Sequence, residues 1–285
     1  MNKYGLIMEG GAMRGMFTAG VMDVLMENGI RFDGGVGVSA GAAFGCNYKS
    51  NQIGRVIRYN KKYCRDPRYC SIRSLIKTGD LYGAEFCYST ISYELDIFDS
   101  KAYFENPMEF HVVCTDVETG KPVYRNCITG LLEDLTWIRA SASMPIASKV
   151  VEATDYKLLD GGISDSIPLR YFESLGYNKN VIILTQPKGY VKKPSKALPL
   201  IKLALKDYPN VYKTMQNRHN DYNEIIKYID EQEENGNVLV IRPPEKLPVG
   251  RVEHNPEKLQ IAYDIGRKTA LEQLEKVKEF VKYGA

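Results

Sequence analysis

Gly37-Val38-Ser39-Ala40-Gly41 fits GxSxG, a sharp strand-to-helix turn that lifts a serine hydroxyl clear of the backbone as a nucleophile. The context agrees, because an apolar run precedes Ser39 and the helical pattern AGAAFGCNY, poor in bulky side chains near its start, follows it. A glycine-rich packing turn with a bystander serine is the plainer reading of the same residues. Upstream, EGGAMRG from Glu9 to Gly15 makes a second glycine turn at the start of a helix. It is not a phosphate loop, since Met16 and Phe17 stand where Lys and Ser or Thr are needed, and it does not match GxGxxG. What remains is a nest of backbone N–H groups at Gly10, Gly11 and Ala12, with Arg14 adding positive charge. Such a nest suits the oxyanion that forms when a hydroxyl attacks an ester carbonyl.

A serine hydroxyl is a weak nucleophile until something accepts its proton. Asp160, in LLDGG, stands at the C-terminal end of an apolar run, where open α/β sheets place their sites. Gly161 and Gly162 allow a second group to approach, although Asp-Gly is also an ordinary tight turn. The chain has three histidines: His111 in an apolar strand pattern, His219 in the polar helical stretch QNRHNDYN, and His254 just before a proline. Each reads more readily as structural or surface than as catalytic. A triad of Ser39, Asp160 and then His219 or His254 would follow α/β-hydrolase order, but that elbow normally comes after several strands and Ser39 leaves room for one or two. A reading from another class is a non-catalytic module whose nest holds an anionic lipid headgroup or regulatory anion, with Ser39 only a ligand.

The elements that must position these residues follow from periodicity. YGLIMEG, GGVGVS, FHVVCTD joined to KPVYRN through VETG, YKLLDGG, NVIILTQP and NVLVIRP read as strands. Helical spacing runs from Met16 to a stop at Gly29, then over Leu131 to Ala142, roughly Val211 to Glu234, and Pro256 to Lys282. Strands alternating with helices predict a mostly parallel sheet covered on both faces. PKGYVKKPSKALP is the one plausible internal linker.

EGGAMRG, GVSAG and DGG, in this order and at these separations, resemble the patatin-like lipid acyl hydrolases, especially the bacterial ones. The family loop usually reads GGGxRG or GGGxKG, and Ala12 replaces its third glycine here. TDVETGK, RASASMP and DGGISDSIPL also look like family segments, so the match covers roughly Tyr4 to Leu169. The resemblance implies an α/β fold, a three-layer α/β/α sandwich with a mostly parallel central sheet. It also implies a Ser39–Asp160 dyad without histidine, the Gly10, Gly11, Ala12 and Arg14 loop as oxyanion hole, and lipid or other acyl esters as substrate. No metal and no organic cofactor is required. One domain over 1–285 is expected, its recognisable catalytic part about 4–185, with 186–285 a C-terminal α/β extension of unknown role.

At 285 residues, 44% hydrophobic and 26% charged, the chain is long enough to bury one large core or two modest ones. The start MNKYGLIMEGG has no basic head followed by a long apolar run, and no segment approaches eighteen uninterrupted apolar residues, which reads as a soluble cytoplasmic protein. The six cysteines show no CxxC or finger-like spacing, as for free thiols in a reducing compartment. The net charge of +3 is uneven, for nine basic residues from Lys49 to Lys77 face Asp66 alone, with Tyr48, Tyr59, Tyr63 and Tyr69 in or beside them. That composition suits contact with an anionic membrane over residues 49–78, or else a solvated helical face; no nucleic acid is expected.

Overall fold

The computed structural model describes residues 2–281. In chain order the elements are β1 (Tyr4–Met8), α1 (Gly15–Glu27), β2 (Gly34–Val38), α2 (Ala40–Lys49), α3 (Arg55–Tyr63), α4 (Ile72–Thr78) and, after a π-helical stretch at Phe86–Leu95, α5 (Ser100–Glu105). There follow β3 (Glu109–Asp116), β4 (Pro122–Asn126), α6 (Leu132–Ser141), β5 (Val151–Ala153), β6 (Tyr156–Asp160) and α7 (Leu169–Ser174). The last are β7 (Lys179–Ile183), α8 (Leu198–Ala204), α9 (Pro209–Glu234), β8 (Val238–Ile241) and α10 (Pro256–Phe280). The expected end of the last helix, Lys282, lies outside the described residues.

The strands form one eight-stranded sheet of order β5-β6-β3-β2-β1-β7-β8, with β4 also paired to β3. From β3 to β8 every pairing is parallel, whereas β4 and β6 run antiparallel to β3. Alternation along the central strands sends side chains to two main cores, while Leu159 of β6 joins a third, smaller cluster under α8 and α9. Leu6, Met8, Val181 and Ile183 join the core under α1, α2, α6 and α10, while Ile7, Ile182 and Leu184 join the one under α7 and α9. A sheet buried on both faces needs apolar residues at every position, which is why these strands read as continuous hydrophobic runs.

α10, from the C-terminal hundred residues, packs directly on α1. A Cβ on Gly20 would run into the carbonyl of Tyr263, and one on Gly266 into that of Phe17, so both positions must be glycine for the helices to come this close. Tyr263 donates its hydroxyl to Asp23 (2.7 Å) and Arg267 grips both oxygens of Glu27 (2.7 and 2.8 Å).

The basic stretch is less exposed than its composition suggests. Tyr48, Tyr59, Tyr63 and Tyr69 are core residues, and Lys49 and Arg55 are buried as well. Lys49 Nζ donates to the carbonyl of Met108 (2.7 Å), and Arg55 to Asn47 Oδ1 (2.9 Å) and the carbonyl of Asp96 (2.6 Å). Both bury a charged head by satisfying it with oxygen acceptors. The exposed part centres on α4, where Ile72 and Ile76 are 72% and 79% exposed.

Candidate active site

β3 brings the two ends of the site together. On one edge it carries β4 from His111 to Thr115, which leaves the other edge to be shared by β2 and β6. β2 runs up that edge and ends with Val38 opposite Val113; β6 runs down the same edge from the opposite direction and ends with Asp160 opposite Cys114. The two C-terminal strand ends therefore meet at adjacent rungs, and Ser39, the residue after Val38, emerges beside Asp160.

Ser39 holds a left-handed conformation (φ 57, ψ −122) between β2 and α2. Its N–H donates to Ser141 Oγ (2.9 Å), fixing the turn against α6, and its side chain caps nothing. An L-residue in this region is strained by about 1–3 kcal/mol, and the turn is held by the packing around it. Gly10 abuts the elbow, since a Cβ there would lie 2.8 Å from Ser39 Cβ and from the Val38 carbonyl. Ala12 also sits at positive φ (49), where the family pattern has glycine, so its side chain carries a conformational cost. The N–H groups of Gly10, Gly11 and Ala12 donate to no acceptor among the described residues, and all three residues line the cavity above Ser39.

Asp160 is 1% exposed. Its backbone is pinned by N–H donation to the Ser143 carbonyl (2.8 Å) and by the Thr115 hydroxyl on its carbonyl (2.8 Å). Oδ1 accepts from Gly162 N–H (2.7 Å), while Oδ2 makes no hydrogen bond of regular geometry. Burial pushes the carboxyl up to about 6; the Ser39 hydroxyl is the strongest influence pulling it back, followed by the charge of Arg218. Asp160 is thus a buried carboxyl beside Ser39 whose pKa lies far nearer neutrality than that of an ordinary aspartate.

None of the three histidines lines the cavity that holds Ser39. His111 bonds Tyr171 (2.9 Å) and Glu109 (3.3 Å), and His254 Nδ1 lies 2.6 Å from the Cys64 carbonyl. His219, in α9, is likewise absent from the lining. The triad reading therefore has no imidazole at the serine.

The cavity measures about 310 Å³. One wall, drawn from residues 40–98 and α6, is largely apolar and includes Phe44, Tyr59, Tyr88, Ile91, Leu135 and Ile138. The other comes from the glycine loop and from side chains that sequence reasoning passed over: Glu9, Lys192, Arg218, Tyr222 and Arg251. Glu9 is 3% exposed, and its carboxylate accepts from Thr185 N–H (2.6 Å), the Thr185 hydroxyl (3.1 Å) and the Tyr222 hydroxyl (2.7 Å). Arg218 Nε donates to the carbonyl of Gly162. The segment expected as a linker delivers Lys192, which packs 4.0 Å over the ring of Tyr222. The expected site residues thus come together, while the C-terminal contributors carried no motif of their own. Among the described residues no group of His, Cys, Asp and Glu could hold a metal ion, and no helix is long and apolar enough to cross a membrane.

The sheet is thus covered on both faces and raises Ser39 at the tip of its second strand, the architecture of a mostly parallel α/β protein. The chain belongs to the patatin-like phospholipase family, whose model matches residues 6–173. Residues 208–282 match a separate domain of unknown function, DUF6363. Among similar proteins, Uncharacterized protein YjjU of Escherichia coli K12 is 25% identical over 278 residues, covering 92% of this chain and 74% of that protein. The Caenorhabditis elegans patatin-like phospholipase domain-containing protein ZK370.4 is 26% identical over 61% of this chain and 13% of its own length. Among solved structures, VipD from Legionella pneumophila aligns with a TM-score of 0.48 at 12% identity, over 97% of this chain and 67% of that one.

Proposed function

We propose that the protein is a serine lipid acyl hydrolase of the phospholipase A or carboxylesterase type, working through Ser39 and Asp160. The observation that carries this reading is the meeting of β2 and β6 on one edge of β3, which sets a strained serine beside a buried carboxylate with no histidine in the cavity. Asp160 takes the proton as Ser39 Oγ attacks the ester carbonyl, and the N–H groups of Gly10, Gly11 and Ala12 with Arg14 nearby hold the oxyanion. The alcohol leaves with that proton, and water activated by Asp160 then releases the acid from the acyl-enzyme. The apolar wall takes the acyl chain.

A fluorophosphonate probe tests the reading directly. It is expected to label Ser39, and Ser39→Ala is expected to lose labelling and ester hydrolysis while staying folded. Gln at His111, His219 or His254 should leave activity within about threefold, since none reaches the cavity. Labelling at another serine, or an active Ser39→Ala protein, would refute the dyad; no labelling at all would favour a binding module.

The part of residues 49–78 suited to an anionic membrane is α4. Ile72 and Ile76 stand one turn apart on its exposed side, flanked by Arg73 and Lys77, and the chain continues to Leu81 and Tyr82 in the cavity wall. Each basic side chain near a charged bilayer contributes about 1 kcal/mol, screened by salt. Ile76→Glu should therefore weaken binding to anionic vesicles and reduce turnover of vesicle substrate, with a soluble ester hydrolysed as before. Equal binding to anionic and neutral vesicles would rule this surface out.

A further inference from the structure

The cavity holds more positive charge than the described chain balances. Arg55 is held by Asp96 (3.5 Å), but Arg14, Lys192, Arg218 and Arg251, which also line the cavity, have no carboxylate within ion-pair distance among the described residues. Arg14 Nε is buried without a hydrogen-bond partner, and Lys192 Nζ packs on the face of Tyr222 with no hydrogen bond among the described residues. Arg218 reaches the dyad: a Cβ on Gly162 would lie 3.0 Å from Asp160 Oδ1 and 3.3 Å from Arg218 Nη2, so the guanidinium and the carboxylate flank one small residue. Among the described residues lining the cavity, the carboxylates set against these four cations are Glu9 and Asp160, which leaves an excess of two positive charges when Lys192 is protonated and both carboxylates are ionised.

Burial and the charges of Arg218, Arg14 and Arg251 hold Lys192 down at about 7, and burial with Arg251 lowers Arg218. These cations repel one another across the cavity, a cost that an incoming anion would remove. Guanidinium groups bind phosphate oxygens in pairs, and a phosphate monoester carries close to the two negative charges that are missing.

We propose that Lys192, Arg218 and Arg251, with Arg14 from the glycine loop, form a subsite for a phosphate group on the alcohol side of the ester, and that supplying it is a role of the C-terminal part of the chain. The proposal rests on the hydrolase reading and deepens it. With the acyl chain on the apolar wall and the carbonyl at Ser39, the alcohol portion is left facing these cations. Arg218 and Arg251 both lie in the region matched by the domain of unknown function, which thereby gains a part in substrate selection.

The test compares kcat/KM for two soluble substrates with the same acyl groups, dibutanoylglycerol and dibutanoylglycerol phosphate, in wild type, Lys192→Met and Arg251→Gln. Wild type is expected to prefer the phosphate compound, and each variant to cut that preference about tenfold, the worth of one charge-assisted hydrogen bond. An unchanged preference, or an equal loss on both substrates, would overturn the subsite and leave the hydrolase reading standing. Hydrolysis of neither compound by wild type would instead refute the hydrolase reading. Calorimetry on Ser39→Ala protein settles the subsite without turnover: tighter binding of the phosphate compound than of dibutanoylglycerol or inorganic phosphate supports it. Inorganic phosphate binding as tightly as the phosphate compound would assign the cations to a free anion and overturn the substrate assignment.

Discussion

Tyr222 of α9 donates its hydroxyl across 2.7 Å to Oε1 of Glu9, the residue immediately before the glycine loop, although the two are 213 positions apart. Glu9 is almost wholly buried, so each donor to its carboxylate stands in for lost water. Tyr222→Phe keeps the ring under Lys192 and removes one donor. It is expected to cost about 1.5–3 kcal/mol of stability, read from the urea midpoint, and to lower kcat as the loop beside Glu9 loosens. Full stability and activity in the variant would show that this bond does not hold the loop.

Asp160 gives opposite pH trends for activity and stability. As the proposed base it must be ionised, so ester hydrolysis should fall on acidification along one limb centred near its pKa of about 6. For stability the sign reverses. The folded carboxyl binds its proton more tightly than the unfolded one, so the folded state is favoured below the unfolded pKa and loses that advantage as pH rises through about 6. The loss is on the order of 3 kcal/mol between pH 4 and 7 from this group. Asp160→Asn should remove this slope from denaturation curves and cost several orders of magnitude in rate, about 4 kcal/mol or more in transition-state terms. A slope unchanged by the substitution would show that Asp160 is not the group responsible.

On the proposed mechanism the strain at Ser39 serves the reaction and not the fold. Ser39→Gly should be more stable than Ser39→Ala by about 1 kcal/mol, because glycine adopts a φ of 57 without penalty, while both proteins are inactive. Equal melting temperatures for the two would place the elbow in a relaxed geometry.

Ala12 gives a milder case in a residue that need not be lost. Ala-to-Gly changes usually destabilise, yet at φ 49 the left-handed penalty on alanine, about 1–2 kcal/mol, exceeds the entropic cost of glycine, about 0.5–1 kcal/mol. Ala12→Gly should therefore leave stability unchanged or raise it slightly, and should keep or increase esterase activity. A loss of more than about 1 kcal/mol on urea denaturation would contradict the backbone argument.

The parts of the site that could be read in the sequence are those whose geometry is local. Two glycine turns and a strand-terminal Asp-Gly-Gly betray themselves because each requires particular residues within a few positions. The helix starting at Gly15, the hairpin joining β3 to β4 and the long helices α9 and α10 were legible from periodicity. Residues 50–105 were not, because short helices and a π-helical stretch interrupt any steady period and bury Lys49, Arg55 and several tyrosines that composition assigns to the surface. Lys192, Arg218 and Arg251 gave no signal at all, for isolated basic residues in a polar stretch look the same whether they face solvent or an active site.

The shared edge of β3 also decides which changes of length the protein tolerates. Ser39 and Asp160 are spaced by neighbouring rungs, Val113 and Cys114, so the gap between them changes only in whole residues, about 3.4 Å at a time. A single residue inserted into β3 between those rungs would turn the following side chains to the opposite face and separate the pair at one stroke. An insertion at Thr154–Asp155, exposed between β5 and β6, leaves that register alone, whereas the turn before β4 is docked on α9, with Thr214 donating to the Gly120 carbonyl (2.9 Å). Chain length is thus free to vary at the exposed β5–β6 tip and fixed at one peptide bond in the middle of the sheet.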